Sequence, residues 1–338
     1  MTKQTTGIGA AVPRREDRRF LTGNSEFTDD IKVANVLSAA VLRAPLPHGE
    51  IKTIDISAAL SVPGVHLILT AKDLEGEITG PIPSLSRVPP FDIGRLDGSD
   101  AADAPQYPLA RGRVRYTGEP VAFVVADTFH QAQDAAELIN VDYRPLDAIM
   151  EVDDALSPNA EKIWPDAPGN ISFDWATGDE AATKAAFDAA DHIVGLNLKN
   201  NRVVINFMEP RSAVASFDSD SGRLTLQAGC QSAHGMQASL MELLDVEADK
   251  LHVIAPDTGG GFGARSPVYP EFIVSLIAAR KLARPVKWTS TRSEAFLTDY
   301  QARDHQFYGE LALNNRGCFL GLRVRADWRH GAYLPGRC

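Results

Sequence analysis

Residues 251–283 restrict the fold of this 338-residue chain more than any other segment. An apolar run over residues 251–256 predicts a strand, and residues 271–283 predict a helix that is apolar nearly all round. Such a helix is normally buried. Between them lies the sequence Gly-Gly-Gly-Phe-Gly-Ala-Arg, residues 259–265, which we call the glycine loop. A strand, a glycine-rich loop and a buried helix in succession predict a layered α and β core with a ligand-binding loop at its edge.

The glycine loop has the composition of an anion-binding segment. Glycines let backbone N–H groups approach a ligand without a Cβ in the way, and successive exposed amides suit a phosphate or a metal-bound oxo group. A lone aromatic ring indicates a loop held in one shape, with the ring packed against something flat or hydrophobic. Gly260, Gly261, Phe262 and Gly263 are therefore candidate binding residues. A purely structural turn is the alternative.

A dinucleotide-binding loop is a second alternative, because Gly259, Gly261 and Ala264 fit the spacing of that fingerprint. The fingerprint needs a helix that begins at the loop, so that its N-terminus meets the pyrophosphate. Pro267 and Pro270 instead predict a helix that begins near residue 270. The acidic residue expected about 20 positions later is also missing.

Composition excludes several functional classes. The net charge of −10 argues against a nucleic-acid partner, and no run approaches the roughly 18 apolar residues of a membrane span. The first residues lack the apolar core of a secretory signal. The three cysteines, Cys230, Cys318 and Cys338, form no C-x-x-C pair, so we expect neither a zinc site nor an iron–sulfur site. Sparse cysteines fit reduced thiols and a cytoplasmic location.

The chain divides best at a polar, proline-punctuated stretch. Residues 1–147 predict a strand-rich domain with one helix capped by Thr128, residues 148–172 a linker, and residues 173–338 a second domain. In the second domain, a helix is expected over residues 179–190 and another capped by Ser232. Strands are expected at 36–44, 51–56, 65–70, 121–125, 141–143, 192–198, 203–207, 223–228, 286–288, 307–313 and 319–328.

The last predicted strand alternates cleanly. Leu320, Leu322, Val324, Ala326 and Trp328 share one face, which needs a partner layer. The sequence stops ten residues later, and we therefore expect a domain represented only in part.

Two polar segments accompany the glycine loop. Gln231 lies between a predicted strand and a capped helix, where its amide could meet a ligand, although bonding to neighbouring backbone is the simpler interpretation. In the sequence Met208-Glu209-Pro210-Arg211, an acid and a base two residues apart predict a turn with an ion pair worth about 1 kcal/mol or less.

Several segments together resemble the molybdenum-binding large subunit of the xanthine dehydrogenase and aldehyde oxidase family, in its bacterial carbon monoxide dehydrogenase-like branch. The similarity runs from about residue 14 to about residue 334. The matching segments are residues 15–17, 21–23, 29–31, 41–45 with His48, 63–65, 115–122, 135–143, 208–211 and 259–263.

The resemblance implies an α+β chain: an α/β-hammerhead domain followed by an incomplete molybdenum cofactor-binding domain. It implies a molybdenum–molybdopterin cytosine dinucleotide as cofactor, with FAD on a medium subunit and [2Fe–2S] clusters on a small subunit. It matches Gln231 to the glutamine beside the apical oxo ligand, and Phe262 and Gly263 to the loop against the metal centre. Family members oxidise small substrates, such as aldehydes, N-heterocycles or carbon monoxide, with water as the oxygen source.

The departures from the family pattern are equally specific. Later motifs of the family, including the glutamate that acts as general base, have no counterpart, so no catalytic residue is assigned within these 338 residues. Ser266 stands where purine-oxidising relatives place a glutamate. We expect the isolated chain to be inactive unless another chain supplies the C-terminal half. The alternative is a non-catalytic module that docks the FAD or iron–sulfur subunits.

Overall fold

The computed structural model describes residues 7–84, 94–102 and 104–334. The strands are β1 Leu37–Arg43, β2 Gly49–Asp55, β3 Val65–Thr70, β4 Arg113–Val114, β5 Pro120–Ala126, β6 Asn140–Pro145, β7 His192–Asn200, β8 Ser212–Asp218, β9 Arg223–Ala228, β10 Leu251–Ile254, β11 Val286–Thr289, β12 His305–Leu313 and β13 Phe319–Trp328. The α-helices are α1 Asp17–Leu21, α2 Ser57–Leu60, α3 Phe129–Glu137, α4 Val152–Ala155, α5 Glu180–Asp188, α6 Ala233–Leu244, α7 Pro270–Leu282 and α8 Arg292–Thr298.

A seven-stranded sheet in the order β10-β9-β8-β11-β1-β5-β3 forms the centre of the molecule. It crosses the predicted division of the chain, because β1 pairs in parallel with β11, with Leu37 opposite Val286 and Ala39 opposite Trp288. The two predicted domains therefore share one sheet, while their exact limits stay a prediction.

Helices cover both faces of this sheet. Strand β5 is fully buried, and its residues alternate between two cores: Phe123 and Val125 pack on the side of α6 and α7, whereas Ala122 and Val124 pack on the side of α3. Helix α7 is buried from Pro270 to Ala279, as its all-round apolar sequence predicts.

Two smaller sheets complete the described chain. Strands β4, β2 and β6 form one, and β13, β12 and β7 form an antiparallel sheet, with α5 packed against β13. The mixture of helices and sheets confirms the α+β class predicted from the sequence. Of the described helices, none has the length and hydropathy to cross a lipid bilayer.

Caps and strand alternation were predicted well. The Thr128 hydroxyl accepts from the Gln131 N–H, and the Ser232 hydroxyl accepts from the Gly235 N–H, as the sequence indicated. The strand expected over 203–207 is wrong: Val203 forms only an isolated bridge, and Asn206 takes a left-handed conformation with φ of 50° that ends any extension.

Strand β8 was missed. Its core-facing residues are mostly small, such as Ala213 and Ala215, and small side chains give a weak strand signal.

Candidate cofactor-binding site

Gln231 and the glycine loop lie in direct contact. The Gln231 Oε1 atom accepts hydrogen bonds from the Gly263 N–H at 2.8 Å and from the Arg265 N–H at 3.3 Å. The Gln231 N–H in turn donates to the Arg265 carbonyl at 3.1 Å. Because two backbone donors face the side-chain oxygen, the orientation of the carboxamide is determined, and its NH₂ group is left to donate elsewhere.

The crest of the loop carries free peptide donors. Among the described residues, none accepts a hydrogen bond from the N–H groups of Gly260, Gly261 or Phe262. Gly260 and Gly263 have φ of 109° and 92°, and Phe262 has φ of 48°. Gly261 between them has no positive φ, and alternation of right- and left-handed conformations is the backbone pattern of loops whose successive N–H groups bind anions.

Glycine is required here by space as well as by backbone geometry. A Cβ added to Gly261 would lie 2.6 Å from the Gln231 Cδ atom, and one added to Gly260 would lie 2.9 Å from the Phe262 ring. Neither separation is compatible with ordinary van der Waals contact. The close approach of Gln231 to the loop therefore depends on Gly261 having no side chain, and the position of the Phe262 ring depends on Gly260 having none.

The Phe262 ring is supported on one side and open on the other. It lies nearly parallel to the Phe207 ring, at a centroid distance of 6.4 Å and an angle of 7°. The Arg265 guanidinium lies 4.7 Å from the Phe207 ring on which it stacks. Phe262 is nevertheless 76% exposed. The predicted contact of the ring with a flat hydrophobic partner is therefore present, but it leaves most of the ring exposed. A left-handed backbone conformation is energetically unfavourable for an aromatic residue.

Glu209 anchors the base of the loop, and its role was not predicted. Its Oε2 atom accepts from the Gly259 N–H at 2.6 Å and lies 3.0 Å from the Arg265 Nη1 atom. Its Oε1 atom is buried with no partner among the described residues. Burial lowers the pKa of Arg265, although Glu209 opposes that shift. The sequence carried only a weak signal, since Glu209 and Arg265 are far apart in the chain.

The predicted ion pair within residues 208–211 is therefore wrong. Arg211 is 1% exposed and binds two other acids, with Nη1 at 2.8 Å from Glu271 Oε2 and Nε at 2.6 Å from Asp299 Oδ1. Glu271 also receives Arg43 of β1 at 2.8 Å. Burial would raise the pKa of Glu271, but the guanidiniums outweigh it and lower that pKa to about 2. We call Arg43, Arg211, Glu271 and Asp299 the buried ion network.

A separate cavity of about 200 Å³ lies beside Glu119. Glu119 accepts hydrogen bonds from the Arg115 N–H and the Tyr333 hydroxyl. The Arg115 guanidinium stacks on the Trp164 ring at 3.5 Å. Burial raises the pKa of Glu119 to about 7 despite these hydrogen bonds.

Comparisons with known proteins agree with this architecture. A family model for the molybdopterin cofactor-binding domain matches residues 163–337, and one for the a/b hammerhead domain of aldehyde oxidase and xanthine dehydrogenase matches residues 22–147. The carbon monoxide dehydrogenase large chain of Hydrogenophaga pseudoflava is 36% identical over 97% of this chain. The nicotine 6-hydroxylase large subunit of Paenarthrobacter nicotinovorans is 34% identical over 96% of it.

The fold of the chain is also similar to that of a solved structure. Reconstituted CO dehydrogenase from Oligotropha carboxidovorans superposes with a TM-score of 0.85 at 32% identity over 95% of this chain. That match covers 39% of the solved chain, and the two relatives are covered over 40% and 38% of their lengths. The chain thus spans about 40% of the length of these relatives.

Proposed function

The chain belongs to the xanthine dehydrogenase and aldehyde oxidase family of molybdenum hydroxylases, and from this premise we propose that Gln231 and the glycine loop hold part of a molybdopterin cofactor. The observation that carries the proposal is a group of donors that no described residue pairs: the N–H groups of Gly260, Gly261 and Phe262, and the NH₂ of Gln231. Polar groups without protein partners beside a rigid loop are suited to an external acceptor.

The donors fit the group that the family implies. Oxygen atoms of a pterin or of a metal-bound oxo group are acceptors, and peptide N–H groups fixed by the loop bind them without reorganisation. When bound, the molybdenum–pterin group supplies two-electron oxidation with oxygen derived from water. The chain's own contribution is to bind and orient: Gln231 donates, Phe262 offers an exposed ring face, and Glu209 holds the loop base.

The finer features of the complex are also proposals. We propose the cytosine dinucleotide form of the cofactor, a FAD-binding medium subunit, a small subunit with [2Fe–2S] clusters, and a cytoplasmic location. The substrate is a small molecule of the aldehyde, N-heterocycle or carbon monoxide class. Relatives named as carbon monoxide dehydrogenase and nicotine 6-hydroxylase support this range without choosing within it.

We further propose that these 338 residues do not turn over substrate alone. The chain spans about 40% of its relatives, and no residue in it is assigned as the general base. The non-catalytic alternative, a module that docks FAD or iron–sulfur subunits, predicts subunit capture without molybdenum or pterin.

Gln231→Glu is the sharpest test of the cofactor site. The substitution keeps an oxygen for the Gly263 and Arg265 N–H groups but replaces the NH₂ donor by a second acceptor. In the assembled enzyme, we expect molybdenum and pterin content to fall at least tenfold, because one donor is lost and a repulsive charge is added. Metal analysis and pterin fluorescence after oxidation measure this directly.

Gln301→Glu is the matched control, because Gln301 is exposed and its Oε1 atom accepts from Arg202, an interaction that a glutamate oxygen keeps. It is expected to keep full cofactor content. Equal content in the Gln231→Glu protein and the unmodified enzyme would contradict the assignment of Gln231.

A further inference from the structure

One face of the β13-β12-β7 sheet is apolar, and its large side chains are left exposed by the part of the chain that the structure describes. Residues that lie directly opposite each other in an antiparallel sheet share a face. The pairing places Val194 with Leu311 and Leu322, Leu196 with Gly309 and Val324, and Leu198 with Phe307 and Ala326. We call this the open face, and its six most exposed large residues are Val194, Leu196, Leu198, Leu322, Val324 and Trp328, each 54–63% exposed.

Helix α5 covers one end of the opposite face of the same sheet. The Arg323 guanidinium lies 4.4 Å from the Phe187 ring of α5. A Cβ on Gly321 would lie 2.9 Å from the Ala186 Cβ, so α5 sits tightly on that side. Ala312, on the same side, is completely buried. Helix α5 therefore packs against part of this face, whereas the large apolar side chains of the open face stay more than half exposed.

The sheet is also open at its edges. In the described part of the chain, β7 and β13 each pair only with β12. Wide apolar patches and unpaired edge strands are rare on proteins that function alone, because they promote association. Such a surface resembles a domain core cut in half, which is typical of obligate rather than transient interfaces.

We propose that the open face docks the part of the large-subunit polypeptide that this chain does not span in its relatives, whether that part is joined to it or encoded separately. This inference rests on the proposed function. The chain matches 40% of the length of one such relative, so about 60% of that large chain lies outside the match. The polypeptide outside the match is therefore large enough to cover the open face. The open face carries mainly aliphatic and aromatic side chains. An interface with a separate FAD or iron–sulfur subunit that can dissociate is expected to be more polar.

Leu196→Lys and Asn197→Lys form a matched pair of variants. The two residues are adjacent on β7, both are exposed, and they point to opposite faces of the sheet. A lysine at 196 puts a charge on the open face, in the row formed with Gly309 and Val324, whereas a lysine at 197 leaves that face unchanged. Either variant should fold, since both positions accept a solvated side chain.

The probe is the complementary part of the Hydrogenophaga pseudoflava carbon monoxide dehydrogenase large chain, co-expressed with this full chain. Co-purification and light scattering should show a one-to-one complex for the unmodified chain and for Asn197→Lys. Leu196→Lys should reduce recovery of the complex at least tenfold. Binding of a hydrophobic fluorescent dye to the unmodified chain should fall when the complex forms.

Four outcomes would overturn the inference: no complex with the unmodified chain, equal recovery with Leu196→Lys, a homodimer that Leu196→Lys dissociates, or vesicle binding that it abolishes. The vesicles are phosphatidylcholine with phosphatidylglycerol in equal parts. Molybdenum and pterin content of the complex separates the two proposals. A complex that depends on Leu196 but holds no pterin would refute the cofactor proposal and leave the docking surface standing.

Discussion

Two polar clusters flank the start of α7 and differ in how completely their groups are paired. In the buried ion network, Arg211 meets Glu271 and Asp299 and stacks at 3.8 Å on the Tyr269 ring. In the glycine loop, three N–H groups and the Gln231 NH₂ have no acceptor among the described residues. The first cluster joins β1 to α7 and holds the fold together, and the second leaves hydrogen-bonding capacity for a ligand. Substitutions should therefore change stability at the first and cofactor retention at the second.

Arg211→Met should have the largest effect on stability. It removes the central cation and leaves Glu271 and Asp299 as buried acids with fewer partners, which typically costs about 3–5 kcal/mol. Chemical denaturation of the purified chain measures the loss in the free energy of unfolding.

Arg316→Met is the control, since Arg316 is exposed in the turn between β12 and β13, and its change should stay within about 0.5 kcal/mol. A loss below about 1 kcal/mol for Arg211→Met would show that the network contributes little.

Glu119 should make stability fall as pH rises. Its pKa in the folded chain is about 7, above the ordinary value of 4.5. The folded state therefore binds the Glu119 proton more tightly than the unfolded chain does. The resulting contribution to the free energy of unfolding is fully present below pH 4.5 and is lost as the pH rises through 7. A shift of this size corresponds to about 3 kcal/mol. Glu119→Gln cannot titrate, and its stability should lack this fall when denaturation is followed from pH 4.5 to 8.

Tyr333→Phe sharpens the same prediction. The Tyr333 hydroxyl donates to Glu119 and lowers its pKa, so removing it should raise that pKa further and extend the fall to higher pH. If the unmodified chain and Glu119→Gln show parallel pH profiles, Glu119 does not titrate in this range.

Glu209→Gln should have an intermediate effect on stability and should also lower cofactor retention. The amide can still accept from the Gly259 N–H, but the charge that faces buried Arg265 is lost. We expect a loss of about 1–3 kcal/mol in the free energy of unfolding, together with lower cofactor content. Glu247→Gln, at an exposed position, is the control and should change neither quantity. Unchanged cofactor content in Glu209→Gln would mean that Glu209 does not hold the loop for binding.

The sequence predicts local features of this molecule much better than remote contacts. The buried character of α7, the caps Thr128 and Ser232, and the alternation of β13 follow from nearest neighbours in the chain, and all three are observed. The pairing of β1 with β11, and of Glu209 with Arg265, depends on tertiary contacts that no local pattern encodes.

The resemblance to the family is what singled out the candidate site residues in the sequence. It matched Gln231 to the glutamine beside the apical oxo ligand, and Phe262 and Gly263 to the loop against the metal centre. The structure brings Gln231 into hydrogen-bonding contact with Gly263. The resemblance did not indicate that Arg211 pairs with Glu271 and Asp299 instead of Glu209. The closeness of Glu209 and Arg211 in the sequence suggested a pair that the structure does not contain. The role of the site in binding a cofactor stays a prediction.

Phe262→Gly should have the smallest effect on stability and still lower cofactor retention. Phe262 has φ of 48°, which glycine adopts more readily, and its ring is 76% exposed. Relief of the strained backbone offsets the added flexibility of glycine in the unfolded chain, so the net change should lie within about 0.5 kcal/mol. If the ring serves the ligand, molybdenum and pterin content of the assembled enzyme should drop although stability does not. A clear loss of stability with normal cofactor content would instead make Phe262 a structural residue, and the contrast between the two clusters would fail.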